Sequence, residues 1–149
     1  MAFFLGLSSL FGVLWLVGWL VPTTGLHDSH NAARVAAAMM FLFVGISHFT
    51  KPEAMQYMVP KWLPVPSLLV YLSGALEVLF GLGLLFPATQ QLSAWGLLVL
   101  LVLVFPANLH VAINNLPPPG GLPAKPWYVW SRLAFQPLYL AWVWYAALG

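Results

Sequence analysis

Between Lys61 and Lys125 the chain carries a single charged side chain, Glu77, and from Met1 to Leu26 it carries none. Stretches of this kind cannot form the surface of a water-soluble domain, in which about a quarter of the residues are charged. Over all 149 residues only five are Lys or Arg and three are Asp or Glu, 62% are hydrophobic, and the mean hydropathy is +0.90. The solvent that suits such a chain is the lipid bilayer. One spanning helix takes ~20 apolar residues and a short connection, so the length admits about five. No room is left for a separate soluble domain, and residues 1–149 are read as one transmembrane domain.

The net charge of +2 is spread over Arg34, Lys51, Lys61, Lys125 and Arg132, too thinly to make a nucleic-acid surface. The cysteine count is zero, which excludes dithiol exchange with quinones, Fe–S ligation and cysteine zinc sites.

The expected fold class is all-α, an integral membrane bundle of five spans at about 2–21, 32–49, 67–86, 92–113 and 127–148. The first segment lacks a basic leader and a small-x-small cleavage site, so it reads as a retained anchor helix. Pro22 to Asn31 ends it and offers N-cap residues for the second helix. Pro52, Pro60, Pro64 and Pro66 then bar the following stretch from crossing as a helix, because proline leaves carbonyls unpaired where no water reaches. With Lys51, Glu53, Lys61 and Trp62 among those prolines, a loop lying in the membrane interface is expected. Ala88 to Gln91 is a short turn that sets the third and fourth helices antiparallel, and Asn114 to Pro126 reads as an irregular external loop.

All eight tryptophans fall within about two turns of an expected membrane edge, as an aromatic belt requires. An odd number of spans puts the chain ends on opposite faces. Lys51, Lys61 and Lys125 share the amino-terminal face and Arg34 lies on the other, so the positive-inside rule places the amino terminus in the cytoplasm, below the cell's inner (plasma) membrane.

Six polar residues fall inside or at the end of these spans: His48, Glu77, Asn108, His110, Arg132 and Gln136. Measured from one membrane face, Glu77 lies ~10 residues in, Gln136 ~9, Arg132 and Asn108 ~5, His110 ~3 and His48 ~1, at ~1.5 Å each. All six therefore occupy the same half of the bilayer. A charge at the bilayer centre costs ~2.5–3.5 kcal/mol, so Glu77 has to be paired, protonated or turned to a wet cavity, and Arg132 is the only cation at comparable depth. Arg132 and Gln136 are four residues apart and share a helix face. Ser73, Gly74, Glu77 and Gly81 also share one, with small residues above and below the carboxylate, a pattern that lets a neighbouring helix approach closely.

These residues support a buried polar network that fixes helix register as well as they support a pocket for a small or lipid-like ligand closed by the proline-rich loop, which would need volume besides polar groups. Proton or ion passage is a third reading. His27-Asp28-Ser29-His30 offers metal-ligand types, although capping of the second helix is the simpler use. His48 near Glu53 makes either an acid–base pair at the interface or a helix-end histidine. His110, two residues after Asn108, points to a roughly opposite side of its helix.

Gly45-Ile46-Ser47-His48-Phe49, Lys51-Pro52-Glu53, Val59-Pro60-Lys61-Trp62-Leu63-Pro64, Ser73-Gly74-Ala75-Leu76-Glu77, Phe105-Pro106-Ala107-Asn108 and Arg132-Leu133-Ala134-Phe135-Gln136-Pro137 resemble, in this order, motifs of the DoxX-like family of small membrane proteins. The match runs from about Ala37 to Trp144. The resemblance implies a four-helix transmembrane core similar to that of vitamin K epoxide reductase-type proteins, with the first segment as an added helix. It also implies that His48, Glu53, Glu77, Asn108, Arg132 and Gln136 are motif positions. The functional settings it implies are thiosulfate:quinone oxidoreduction, oxidative-stress complexes and, among distant eukaryotic relatives, receptor assembly and cargo export. The lack of cysteine removes the thiol chemistry of those relatives.

Three functional expectations follow. In the first, a small membrane subunit binds a lipophilic molecule such as a quinone. Asn108, Arg132 and Gln136 donate to its carbonyl oxygens, His110 joins the binding set, Glu77 and His48 relay protons, and a partner membrane or redox subunit supplies electrons. In the second, Glu77 is a buried general acid acting on an isoprenoid or sterol-like substrate without redox chemistry. In the third, the chain is a structural or assembly factor without a small ligand. No metal is expected in any of them.

Overall fold

Each long apolar run forms helix in the computed structural model, which describes residues 2–117 and 125–149 and contains no strand among them. The helices are α1 (Ala2–Leu20), α2 (Ser29–Thr50), the short α3 (Glu53–Gln56), α4 (Pro66–Gly83), α5 (Gln90–Leu103), α6 (Phe105–Ile113) and α7 (Pro126–Ala147). Four units, α1, α2, α4 and the α5–α6 pair, are long and apolar enough to cross a membrane. At 22 residues α7 has the length but, with its arginine, glutamine and many Trp and Tyr residues, not the apolarity of those four. Most of the loop expected from Asn114 to Pro126 lies outside the described residues.

Local chemistry moves several expected boundaries. The second helix starts at Ser29 rather than Ala32, because the Asp28 carboxylate accepts from the Asn31 N–H at 2.9 Å and caps it. The third ends at Gly83 rather than Phe86, where the Thr89 hydroxyl donates to the Gly83 carbonyl at 2.8 Å and satisfies one of the carbonyls that a helix end leaves free. In place of one helix from 92 to 113 there are two, parted at Val104. Pro106 is the cause: it has no N–H to give, its ring collides with the carbonyl four residues back, and it sits well only in a first helical turn, which it occupies in α6. The proline-rich stretch contains only the single turn α3 before Val65 enters α4. Val65 adopts a left-handed backbone (φ 52°) between two prolines, a conformation that strains a β-branched residue.

The helices α2, α4, α5 and α7 pack in a closed ring, each against the next, and α1 lies outside it against α2. Aromatic rings dock α1: Phe3 meets Phe41 at 5.6 Å and Tyr139 at 5.0 Å, and Phe11 meets Trp142 edge-on at 5.6 Å. The most extensive interface joins α2 to α4. Small residues make it narrow. On α2, Ala32, Ala33, Ala36, Ala37, Ala38 and Gly45 are all buried, and on α4 Gly74, Glu77 and Gly81 are turned inward. Seven tryptophans are exposed on the outside of the bundle; Trp142 turns in and donates to the Ala33 carbonyl at 3.1 Å.

A Cβ at Gly74 would lie 2.4 Å from the His48 Cβ, and one at Gly45 would lie 2.9 Å from the Gly74 carbonyl oxygen. Gly74→Ala is therefore expected to destabilise the bundle by about 1–3 kcal/mol, the usual cost of overfilling a packed site. Gly12→Ala, where nothing lies within 4 Å, should not lower the thermal unfolding midpoint in detergent, since alanine also favours the helix interior over glycine.

Candidate functional site

Where α2 and α4 approach, the last turn of α2 sets His48 against the middle of α4. His48 Nδ1 lies 2.9 Å from the Val70 carbonyl oxygen, and the Ser73 hydroxyl donates to the same oxygen at 3.0 Å. A carbonyl only accepts, so the Nδ1 that faces it carries the hydrogen. In a neutral ring Nε2 is then the acceptor, and it faces Glu77 Oε2 at 3.4 Å. Glu77 is 8% exposed. The two groups attract only if they hold one proton between them, as carboxylic acid beside imidazole or carboxylate beside imidazolium. The separation is within ion-pair reach but lacks hydrogen-bond alignment, and Glu77 Oε2 stays without a hydrogen-bond partner among the described residues.

Ser73, His48 and Glu77 follow one another in space, with Ser73 Oγ 3.2 Å from His48 Nδ1. They do not form a nucleophilic triad. The hydroxyl hydrogen is directed to Val70 and the nearer ring nitrogen is already protonated, so no base faces the serine. What the arrangement can do is hold and pass a proton between a buried carboxyl and a helix end.

A second cluster joins α5, α6 and α7. The Gln136 side-chain amide donates to the Leu101 carbonyl at 2.7 Å, which lies in the last turn of α5, where helix carbonyls lack partners along the chain. The amide thus repairs the break that Pro106 causes. The Gln136 Oε1 accepts from the Asn108 amide at 3.2 Å, and the Asn108 Oδ1 accepts from Arg132 Nη2 at 3.2 Å. Arg132 Nη1 is buried without a hydrogen-bond partner among the described residues.

Glu77 and Arg132, the two charges expected inside the lipid span, form no ion pair among the described residues; the carboxyl has His48 instead. The titratable groups that act on the Arg132 charge are the phenols of Tyr128, Tyr139 and Tyr57. Tyr57 is the residue sequence reasoning missed. It follows α3 in the interfacial segment, and its hydroxyl donates to the Pro117 carbonyl, tying that segment to the end of the α6 connection. Burial pushes the Tyr57 phenol up and the Arg132 charge opposes this. No motif marked it, since a tyrosine near an interface is ordinary. His110 stays apart from both clusters and pairs with Asn114 one turn on, 3.0 Å from its amide nitrogen, and Glu53 is exposed at the start of α3.

At the opposite end of the bundle Asp28 is occupied as a cap, and His30 Nδ1 lies 2.8 Å from the Tyr145 carbonyl. No group of three or more His, Cys, Asp or Glu residues there, or elsewhere among the described residues, could hold a metal ion. Arg34 donates to Gln90 Oε1 and to Asn31 Oδ1, each at 2.7 Å, while the Gln90 amide donates to the Ala147 carbonyl at 3.1 Å. This tie binds α2, α5 and the end of α7.

Two open apolar grooves flank α5. One, of about 310 Å³, runs from Trp95 to Leu103 and is bounded on α7 by Leu140, one turn from Gln136. The other, of about 330 Å³, lies against α4 at Leu76 and Phe80. Neither is lined by the polar clusters themselves.

A family model described as "Domain of unknown function (DUF8561)" matches residues 37–147, a region that includes both clusters and leaves out α1. No curated protein matches the chain. No solved structure matches it either.

Replacing Gln136 by Leu removes the partner of both the Leu101 carbonyl and the Asn108 amide. Leaving such buried groups unpaired costs about 1–3 kcal/mol each, so Gln136→Leu is expected to lower the unfolding midpoint more than His110→Leu, whose ring bonds only within its own turn. Equal shifts in a detergent melt would contradict this assignment.

Proposed function

The chain belongs to the DUF8561 family, and from that premise we propose that it is a five-span protein of the plasma membrane that holds the polar head of a lipophilic molecule at Arg132. The observation that carries the reading is the buried Nη1 without a partner, beside an Nη2 already held by Asn108. A built, half-used donor of this kind suits a ligand oxygen, since a buried unpaired polar group is costly. Gln136 positions Asn108, and Asn108 positions the guanidinium. The groove that starts one turn from Gln136 offers an apolar bed for a tail.

A quinone is the ligand class that the resemblance to DoxX-like proteins favours, and kinship with those proteins is part of this proposal. Each of its carbonyl oxygens accepts a hydrogen bond. Two-electron reduction to the quinol takes up two protons; the Glu77–His48 pair holds one at a time and relays the second from water at the membrane interface, with a partner subunit supplying both electrons. The reading of α7 as a fifth span is supported by where its polar groups point: Arg132 and Gln136 bond inward to Asn108 and Leu101, whereas Trp127, Trp130, Leu138 and Trp144 face outward.

A second reading, a structural or assembly protein, is favoured by the bond from Gln136 to Leu101, which closes a helix break and needs no ligand. Binding separates the two. Titration of the purified protein with a short-chain quinone is expected to quench its tryptophans saturably, and Arg132→Gln to weaken this by about tenfold or more, the loss of one charge-assisted hydrogen bond. If the wild type shows no saturable quenching and no co-purifying small molecule in native mass spectrometry, the structural reading replaces the first.

Orientation has its own test, made clean by the absence of cysteine. In intact cells a membrane-impermeant thiol reagent is expected to label Thr23→Cys but to reach Lys61→Cys only after lysis. The reverse pattern would invert the topology.

A further inference from the structure

The whole chain contains three acidic residues, and each has a known place. Asp28 caps α2 at the far end of the bundle. Glu53 is exposed at the start of α3, and Glu77 lies against His48. The only ion pair among the described residues is the one between His48 and Glu77, and residues 118–124 contain no acid. The Glu77–His48 pair can neutralise itself by sharing a proton. Arg132 has no such option, because a guanidinium keeps its charge at any physiological pH. Its hydrogen-bonded neighbour among the described residues, Asn108, is neutral, and the other groups that act on its charge are tyrosine hydroxyls. Arg132 is partly buried with its Nη1 fully so, and a desolvated charge without a counter-charge is destabilising, so an anion from outside the described residues would stabilise it.

We infer that Arg132 Nη1 is a binding point for an oxyanion, the carboxylate or phosphate of a membrane amphiphile whose tail lies in the groove along α5. This rests on the reading above for the position of the head and goes beyond it in fixing the charge. Arg132 is seven residues into α7, or about 10 Å below its start, within reach of a head that enters from the leaflet. The groove floor from Leu103 to Trp95 continues away from the site and is apolar throughout, which suits a hydrocarbon chain and not a free ion.

Thermal unfolding of the delipidated protein in a neutral maltoside detergent tests this with five additives: dodecyl phosphate, dodecanoate, 1-dodecanol, inorganic phosphate and a short-chain quinone. Dodecyl phosphate or dodecanoate is expected to raise the midpoint saturably, while dodecanol and inorganic phosphate leave it in place. Arg132→Gln should weaken the binding by about tenfold to a hundredfold, the loss expected for one hydrogen bond to a charged group, and Arg132→Lys should keep part of it. Equal stabilisation by dodecanol would reduce the site to an apolar groove and overturn the inference; so would an equal shift from inorganic phosphate, which would make it a free-anion site. A shift from the quinone but not from the anionic amphiphiles overturns the inference and leaves the quinone reading standing. A shift from the anions alone does the opposite. The additive comparison on the wild type decides the matter even if the Gln variant fails to fold.

Discussion

Two glycines set the geometry on which the first cluster depends. At Gly45 and Gly74 the backbones of α2 and α4 come so close that a methyl on either would overlap the other helix. Lipid gives helices no hydrophobic reason to associate, so contact at this range, with dispersion across a wide seam, is what holds such a pair together. The alanines of α2 extend the same seam toward the far end. Once the backbones are this near, His48 in the last turn of α2 has nowhere to lie but against Val70, Ser73 and Glu77. The carboxyl then meets an imidazole whose hydrogen is already pinned to a carbonyl.

The second cluster answers a different demand. Within a hydrocarbon layer each backbone carbonyl needs a partner from the protein itself. A proline in the middle of the fourth span breaks the ladder, and α7 supplies a side-chain amide to mend it. Gln136, Asn108 and Arg132 then form a chain of hydrogen bonds in which, among the described residues, only the last member has a buried nitrogen with no partner at all. Mending accounts for the glutamine and the asparagine. It does not account for the arginine, whose charge contributes nothing to closing a helix break.

Much of this was legible in the residues. The positions of the helices, the shared face of Ser73, Gly74, Glu77 and Gly81, and the common face of Arg132 and Gln136 follow from spacing at 3.6 residues per turn. The partners did not follow. Similar depth suggested Glu77 and Arg132 as a couple, but depth says nothing of position around the ring, and α4 and α7 stand across it from each other. Proline was equally ambiguous: Pro106 parts two helices while Pro137 lies within a continuous α7. Which of the two happens depends on whether neighbours can satisfy the freed groups, and this is a property of the packed bundle. Tyr57 was invisible for a related reason, since its partners come from segments distant in the chain.

The tie that joins Arg34, Asn31, Gln90 and the Ala147 carbonyl acquires a mechanical meaning when set beside these clusters. It fastens three of the four ring helices at the end away from Arg132, and the stacked His30 and Tyr145 rings reinforce the same end. With the Gln136–Leu101 and Asn108–Gln136 bonds nearer Arg132 and the His48–Val70 bond on α4, the ring is laced across its helices at two levels, so that no helix of the ring relies on packing alone.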